Sequence, residues 1–259
     1  MNEMSQNTNR ALPLTIVAHR GCSGTAPENT LAAFKLALEE PGIAIIELDV
    51  HLSKDGVPVV IHDHTLERTT NGAGRVDAHT LEELRGLDAG GKFAPAFAGE
   101  RIPTLEEVLE LAKGRCVLHI ELKMLAQEYA GIEEKVIALV QRHGMEQEVV
   151  LSSFNHDSMK LAHELDPSIA TGLIFLGKPL LLAEQLRYAG AASLSMHHAF
   201  LTRELADEMA ELGIDLGVWT VNDPALLARI AADYPGMRIT TDYPERALQV
   251  VREHGLAAR

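Results

Sequence analysis

The feature that most constrains the fold is an eightfold alternation of a short apolar run with a longer amphipathic segment. Most of the short runs are continuously apolar, which is typical of parallel strands covered on both faces. We predict strands at residues 14–19, 44–51, 117–123, 149–153, 170–175, 192–196, 215–221 and 238–241, and helices at 28–39, 104–112, 127–143, 156–165, 179–188, 202–212, 224–232 and 244–253. Eight strands, each followed by a helix, predict an α/β fold of the TIM (β/α)8 barrel type. The alternative is an open doubly wound sheet, but no GxGxxG motif follows the first strand.

Two segments interrupt the alternation. Residues 57–61 form a ninth strand-like run, and only Lys54-Asp55-Gly56 precedes it, which is a hairpin turn and too short for a parallel crossover. Residues 63–103 are rich in glycine and hold no long periodic run, so we expect an insertion that covers the substrate. We therefore expect a disordered tail at 1–13 and a single barrel domain at 14–259, with the insertion at approximately 63–103.

Charge and cysteine content exclude several classes of partner. The 259 residues carry a formal net charge of −14, which disfavours nucleic-acid binding and attraction to an anionic membrane. An anionic ligand would therefore need a metal or a few well-placed cations. The two cysteines indicate no disulfide framework, and no apolar run approaches the roughly 18 residues of a membrane span. Because the leader MNEMSQNTNR lacks a positive export signal, we expect a cytoplasmic protein without stable membrane association. No sequence feature specifies an oligomeric state.

Paired carboxylates at the end of the second strand are the strongest local signal. A period of two places Glu47 and Asp49 on one face of a very apolar strand, where the two charges would repel each other. A divalent cation would relieve that repulsion, since hard cations prefer oxygen ligands. A solvated pair on the outside of the sheet is the alternative for these two residues taken alone.

The strand predicted at 117–123 supplies a third carboxylate. His119, Glu121 and Lys123 alternate with apolar residues and so share one face. In a closed barrel that face converges on the mouth, so Glu121 can join the carboxylate pair and Lys123 can meet an anion above a metal. We expect His119 to lie deeper, as a hydrogen-bonded histidine of the core.

Two histidines are predicted to flank this carboxylate cluster. The first strand ends in His19-Arg20-Gly21, at the strand end where barrel enzymes keep catalytic residues. The hairpin returns residue 62 to a position opposite about residue 48, which brings His62 to the level of the carboxylates. Such a pair suits acid–base chemistry near neutral pH. A structural role for the strand-end histidine, with Arg20 at the surface, is the alternative.

The order and spacing of these motifs resemble those of the glycerophosphodiester phosphodiesterase family, from about residue 15 to 250. The motifs that carry the resemblance are His19-Arg20-Gly21, Pro27-Glu28-Asn29-Thr30, Glu47-Leu48-Asp49-Val50, Asp55-Gly56 with Pro58-Val59-Val60-Ile61-His62-Asp63, Glu121-Leu122-Lys123, Trp219-Thr220-Val221-Asn222 and Thr241-Asp242-Tyr243-Pro244. The chain is more similar to the shorter cytoplasmic form of the family than to the exported form with a long insertion.

The resemblance implies an activity and a set of site residues. Family members hydrolyse small-molecule glycerophosphodiesters, such as glycerophosphocholine or glycerophosphoethanolamine, to glycerol 3-phosphate and an alcohol. The implied roles are binding of one Mg²⁺ or Ca²⁺ by Glu47, Asp49 and Glu121, acid–base catalysis by His19 and His62, and phosphate binding by Arg20 and Lys123. The resemblance also favours attack by the 2-hydroxyl of glycerol, which gives a cyclic phosphate.

Two further residues are weaker candidates for substrate binding. We expect Glu28 to open the first helix after Pro27, where it would assist His19 or Arg20. Trp219 ends an apolar strand and is either a core residue or a wall against the glycerol or head group. Two alternative functions are a non-catalytic module that binds a phosphate ligand and a phosphodiesterase of the same fold that acts on lysophospholipids.

Overall fold

A computed structural model describes residues 14–124 and 129–255 of the chain. Its strands are β1 (Thr15–His19), β2 (Ile45–Leu52), β3 (Pro58–Val60), β4 (Val117–Leu122), β5 (Val149–Ser153), β6 (Ala170–Phe175), β7 (Ser193–His197), β8 (Asp215–Trp219) and β9 (Arg238–Thr241). Its α-helices are α1 (Leu31–Glu39), α2 (Leu81–Arg85), α3 (Leu105–Ala112), α4 (Ile132–His143), α5 (His156–Leu165), α6 (Leu182–Ala189), α7 (Arg203–Glu211), α8 (Pro224–Asp233) and α9 (Pro244–Glu253).

Eight of the strands in the described residues close into a parallel barrel. The order around the ring is β1, β2, β4, β5, β6, β7, β8 and β9, and β9 pairs with β1. Alternate strand residues and the inner faces of the helices form one continuous apolar core, which includes Ile16, Leu118 and Val218. The predicted TIM barrel is confirmed.

The short strand β3 lies outside the ring and runs antiparallel to β2. Its register pairs Val50 with Val60 and Leu52 with Pro58. The amide of Ile61 continues the ladder by donating to the carbonyl of Asp49. The chain after β3 therefore runs back toward the carboxylates of β2, as the predicted hairpin requires.

Residues between β3 and α3 pack around a small apolar cluster of their own. This cluster, called here the insertion core, consists of Val59, Ile61, Leu66, Val76, Leu84, Ala89 and Ile102. Helix α2 contributes Leu84 to this cluster, and Thr80 caps the helix through a reciprocal contact with Glu83. The segment is therefore an ordered unit that rests against the hairpin.

The first helix begins later than the sequence predicts. It starts at Leu31, and the Thr30 hydroxyl caps it by accepting from the amide of Ala33. Asn29 adopts a left-handed backbone conformation with φ 57°. The expectation that Glu28 opens this helix is therefore wrong, because Glu28 lies in the turn before the cap.

Two other predicted helices also begin late. Helix α6 starts at Leu182 instead of residue 179, and Leu181 before it has a left-handed φ of 56°. Helix α4 starts at Ile132, after Gly131 with φ 79°. The predicted tail at 1–13 lies outside the described residues, as do positions 127 and 128 of the helix predicted at 127–143. Among the helices that are described, none has the length and apolar character needed to cross a membrane.

Candidate active site

A cavity of about 300 Å³ opens at the carboxyl ends of the barrel strands. Its lining includes His19 at the end of β1, Lys123 after β4 and Trp219 at the end of β8. A second cavity of about 260 Å³ shares His62 and Lys123 with the first. This end of a TIM barrel is where enzymes of the fold place their chemistry.

Strand register brings three carboxylates together beside the first cavity. In the parallel ladders, His19 lies opposite Glu47 and Asp49 lies opposite Glu121. One ligand oxygen from each of Glu47, Asp49 and Glu121 lies within 4.8 Å of the others, so the three could hold a metal ion. The sequence predicted this grouping.

The three carboxylates do not share one electrostatic environment. Burial and the neighbouring Asp49 raise the pKa of Glu47 well above its usual value. Burial also raises the pKa of Glu121 to about 7, although Lys123 opposes the shift. Burial acts in the same direction on Asp49, but the charges of Arg20 and Lys123 outweigh it and lower the pKa of this residue.

This donor set fits a hard divalent cation. Asp49 Oδ1 is buried and accepts no hydrogen bond from the described residues. Burial, and after it the charge of Asp49, raises the pKa values of Glu47 and Glu121, so a bound cation would favour the ionised form of both acids. Carboxylate oxygens are the ligands that Mg²⁺ and Ca²⁺ prefer.

Two basic side chains contact the cluster from either side. Lys123 Nζ donates to Glu121 Oε1 at 2.8 Å and lies 3.6 Å from Asp49 Oδ1. Arg20 Nη1 donates to Glu28 Oε1 at 2.8 Å, and its Nε lies 3.2 Å from Asp49 Oδ2. Both cations are thus held at the cavity, where an anionic ligand would meet them.

The backbone at Arg20 is held in an uncommon conformation. Its φ is 56°, in the left-handed region, and its amide donates to Glu47 Oε2 at 3.0 Å. Its carbonyl accepts from the amide of Asn29. The next residue must be glycine, because a side chain at Gly21, with φ 81°, would place a Cβ 2.6 Å from the Ala33 carbonyl carbon. Such conformations often mark functional sites.

Each of the two predicted histidines bonds a carboxylate through Nδ1. His19 Nδ1 lies 2.5 Å from Asp242 Oδ1, and His62 Nδ1 lies 2.6 Å from Asp63 Oδ1. Contact through Nδ1 leaves Nε2 of each ring for other partners, and His19 Nε2 lies 3.9 Å from Glu47 Oε2. Burial lowers the pKa of His62, against the attraction of Asp49.

Hydrogen bonds from two loops fix Asp242. Asn222 Nδ2 donates to Asp242 Oδ2 at 2.6 Å, and the Ser23 hydroxyl donates to Asp242 Oδ1 at 3.1 Å. Asn222 Oδ1 in turn accepts from the Asp242 amide and from the Thr241 hydroxyl. The partner of His19 is therefore rigidly placed.

The weaker candidates also lie at or near the cavity. Glu28 contacts Arg20 but not His19 among the described contacts. Trp219 lines the cavity and makes edge contacts with Phe154 and His197, with ring centroids 5.9 and 5.5 Å apart. A wall position for Trp219 therefore fits better than a place in the core.

The structure places His119 deeper in the barrel, as expected. It is 5% exposed, and its Nδ1 lies 3.4 Å from Nη1 of the buried Arg238. Both residues line the floor of the first cavity. Burial and the charge of Arg238 keep the pKa of His119 well below its usual value, so this ring is neutral.

Several contacts of the site went unpredicted. Asp63 bonds His62, Arg68 bonds Glu28 and Asp242 bonds His19. Asn29 Nδ2 donates to Asp49 Oδ2 at 2.8 Å. Asp242 directly follows β9, so the strand-end rule that pointed to His19 would also have found it. No comparable signal points to Arg68.

Comparison with known proteins identifies the family of the chain. A sequence profile of the glycerophosphoryl diester phosphodiesterase family matches residues 19–246. The chain is 44% identical over 245 residues to the glycerophosphodiester phosphodiesterase of Caldanaerobacter subterraneus subsp. tengcongensis. That alignment covers 93% of this chain and 98% of the relative. The chain is 37% identical to the glycerophosphodiester phosphodiesterase of Bacillus altitudinis, with 92% of this chain and 98% of the relative covered.

A solved structure extends the comparison to three dimensions. An Oleispira antarctica phosphodiesterase in complex with the product sn-glycerol-3-phosphate is 34% identical to this chain and superposes with a TM-score of 0.83. The superposition covers 93% of this chain and 97% of the other. Profile, identity and fold agree, so the chain belongs to the glycerophosphoryl diester phosphodiesterase family.

Proposed function

We propose that the protein hydrolyses small glycerophosphodiesters, such as glycerophosphocholine or glycerophosphoethanolamine, to glycerol 3-phosphate and an alcohol. The observation that carries the proposal is the arrangement at the barrel mouth. His19 and His62, each bonded to a carboxylate, line the same cavity as two members of a three-carboxylate cluster. The relative that was solved with sn-glycerol-3-phosphate supports this substrate class.

Glu47, Asp49 and Glu121 would hold one divalent cation, with Mg²⁺ and Ca²⁺ as the candidates. When bound, such a cation supplies Lewis-acid polarisation of a phosphate oxygen and neutralises charge in the transition state. Arg20 and Lys123 would complete the neutralisation from the chain itself. Their present contacts with Asp49 show that both cations reach the carboxylate cluster.

The two histidines would carry the proton transfers. Asp242 and Asp63 fix the rings through Nδ1, so each Nε2 is the atom that exchanges a proton with the substrate. One Nε2 takes the proton from the attacking hydroxyl, and the other protonates the departing alcohol oxygen. With the glycerol 2-hydroxyl as nucleophile, the product is a cyclic phosphate, which water opens after the histidines exchange roles.

The decisive experiment measures glycerol 3-phosphate release from glycerophosphocholine with Mg²⁺ or Ca²⁺, and again with a chelator. We expect metal-dependent turnover that falls about 10²–10⁴-fold in His19→Ala and in His62→Ala. His143→Ala, on the outer helix α4, is the control and should retain activity. Binding of glycerophosphocholine without turnover would instead support a non-catalytic module.

A substrate with a better leaving group separates the two histidines. A nitrophenyl ester of glycerol phosphate needs no proton at departure, so it should rescue the variant that lacks the acid and not the one that lacks the base. Trapped cyclic glycerophosphate would support the internal nucleophile. Incorporation of labelled water with inversion at phosphorus in one step would exclude it.

A second substrate class is favoured by the segment after β6. Leu176, Leu180 and Leu181 are 69%, 87% and 70% exposed, and this segment leaves the barrel at the same end as the cavity. Exposed apolar side chains grouped in this way are typical of a surface that contacts a lipid chain. Turnover of a lysophospholipid that falls in a Leu180→Ser, Leu181→Ser double variant, with glycerophosphocholine turnover unchanged, would establish this activity.

A further inference from the structure

Arg68 lies in the insertion and bonds two carboxylates at once. Its Nε and Nη2 donate to Asp63 Oδ2 and Oδ1 at 2.7 and 3.0 Å. Its Nη1 and Nη2 donate to Glu28 Oε2 and Oε1 at 2.7 and 2.8 Å. The guanidinium thus makes a two-pronged contact with each acid, which fixes distance and angle as a lysine ammonium cannot.

Each of these carboxylates has a second contact on a proposed site residue. Asp63 Oδ1 accepts from His62 Nδ1 at 2.6 Å, and Glu28 Oε1 accepts from Arg20 Nη1 at 2.8 Å. A continuous chain of contacts therefore runs from His62 through Asp63, Arg68 and Glu28 to Arg20. One side chain of the insertion joins the proton-transfer and the phosphate-binding parts of the cavity.

The exposure of these groups argues against a role in stability alone. The Arg68 side chain is 47% exposed, and ion pairs at such positions contribute little to folding. Asp63 and Glu28 are 28% and 19% exposed, so both remain partly open to solvent. Bonds from Arg68 are the largest cause of the lowered pKa of Asp63, which keeps this acid ionised beside the His62 ring.

We propose that Arg68 is a positioning residue that holds His62 and Arg20 in register with each other, so that proton transfer and phosphate binding occur in one geometry. The proposal rests on the proposed function for the roles of these two residues. It assigns the insertion a part in catalysis beyond covering the substrate.

The first test compares two arginines of the insertion. Arg68→Met is expected to lower kcat about 10–100-fold, as losses of orienting partners do at comparable sites, with a smaller change in KM. Arg68→Lys should recover only part of the loss, because an ammonium cannot make both two-pronged contacts. Arg75→Met is the matched control, since Arg75 is 45% exposed and makes the same kind of two-pronged pair with Asp77. Full activity in Arg68→Met would overturn the proposal.

The second test asks whether Arg68 acts through the site residues. In a His62→Ala background, measured with a nitrophenyl substrate, Arg68→Met should cost less activity than it does in the parent protein, because one of the two residues that it positions is gone. The same non-additivity is expected in an Arg20→Ala background. If the full loss persists in both backgrounds, Arg68 acts by another route and the proposal fails.

A spectroscopic readout separates this proposal from the proposed function. Side-chain ¹⁵N NMR should show a protonated His62 Nδ1 in the parent protein, and Arg68→Met should change this signal while leaving that of His19 unchanged. An unchanged His62 signal would contradict the proposal even in an enzyme with the proposed activity. A changed signal in a protein that hydrolyses no glycerophosphodiester would uphold the contact and refute only the activity.

Discussion

At the scale of single residues, the three carboxylates at the mouth contribute differently to the fold. Glu47 and Glu121 have raised pKa values, whereas Asp49 has a lowered one. A raised pKa means that the folded chain favours the neutral acid, so the charged form opposes folding. The lowered pKa of Asp49 means that its charge is stabilised by Arg20 and Lys123.

Substitutions at Glu47 and Asp49 should therefore differ in the metal-free protein. Glu47→Gln should cost little or no stability, because the change removes a repelling charge. The side-chain carbonyl of the new glutamine can still accept from the Arg20 amide. Asp49→Asn should cost about 3 kcal/mol, because it leaves buried cations without their partner. Chemical denaturation of each variant in the presence of a chelator measures both changes in the free energy of unfolding. Equal losses in the two variants would contradict the electrostatic asymmetry.

Metal binding should release protons in a pH-dependent way. At pH 6 the metal-free protein carries a proton on Glu121, whose pKa is about 7, and the raised pKa of Glu47 adds to the effect. A cation requires the ionised acids, so we expect release of roughly one to two protons at pH 6 and less as the pH rises through about 7. Calorimetric titration with Mg²⁺ in buffers of different ionisation enthalpy counts them. A proton count that does not change with pH would show that these acids are already ionised.

Sequence reasoning found the residues that follow or end a strand but not their partners. His19, Glu47 and Glu121 were predictable because strand periodicity and the strand-end rule are local. The partner of His19 lies 223 positions along the chain, and only the closed barrel brings it near. Arg68 stands in an irregular segment, where no period fixes the direction of a side chain.

At the scale of elements, most strands were predictable because a buried parallel strand is a bounded apolar run. Helix starts were less predictable, as α1 shows. Pro27 suggested a start at Glu28, yet Asn29 adopts φ 57° and bonds Asp49 through its side chain. A tertiary contact at the site thus overrides a local start signal.

The insertion core should be separable from the barrel core by mutation. Leu84 and Leu109 are both fully buried, the first in the insertion core and the second in the barrel. Each Leu→Ala change should cost about 2–5 kcal/mol. We expect Leu84→Ala to lose activity on heating before the barrel melts, because the insertion supplies Arg68, and Leu109→Ala to lose activity and fold together. Parallel scans of activity and circular dichroism test this. If Leu84→Ala loses activity and its circular dichroism signal at the same temperature, the insertion unfolds only with the barrel.

At the scale of the whole molecule, the protein carries a net charge of −14, whereas Arg20 and Lys123 line its cavity. The long-range field repels a diester with net negative charge, while the local cations attract its phosphate. Salt screens the first effect more than the second, since the Debye length falls from ~30 Å at about 10 mM to ~8 Å at about 150 mM.

Ionic strength should therefore change the preference among substrates. Over that range we expect kcat/KM for glycerophosphoglycerol, a net anion, to rise about two- to threefold relative to that for glycerophosphocholine, a zwitterion. Steady-state kinetics with both substrates at several salt concentrations measure the ratio. A falling ratio would mean that the local cations dominate the approach of the substrate.

The pairing of the first strand with the last has a consequence for biosynthesis. His19 and Asp242 meet across the β1–β9 seam, and 223 positions separate them in the chain. At ribosomal speeds of about 5–20 residues per second, His19 is made roughly 10–45 s before its partner. The His19–Asp242 contact therefore forms only after β9 has been made, and closure of the seam is the step that completes it.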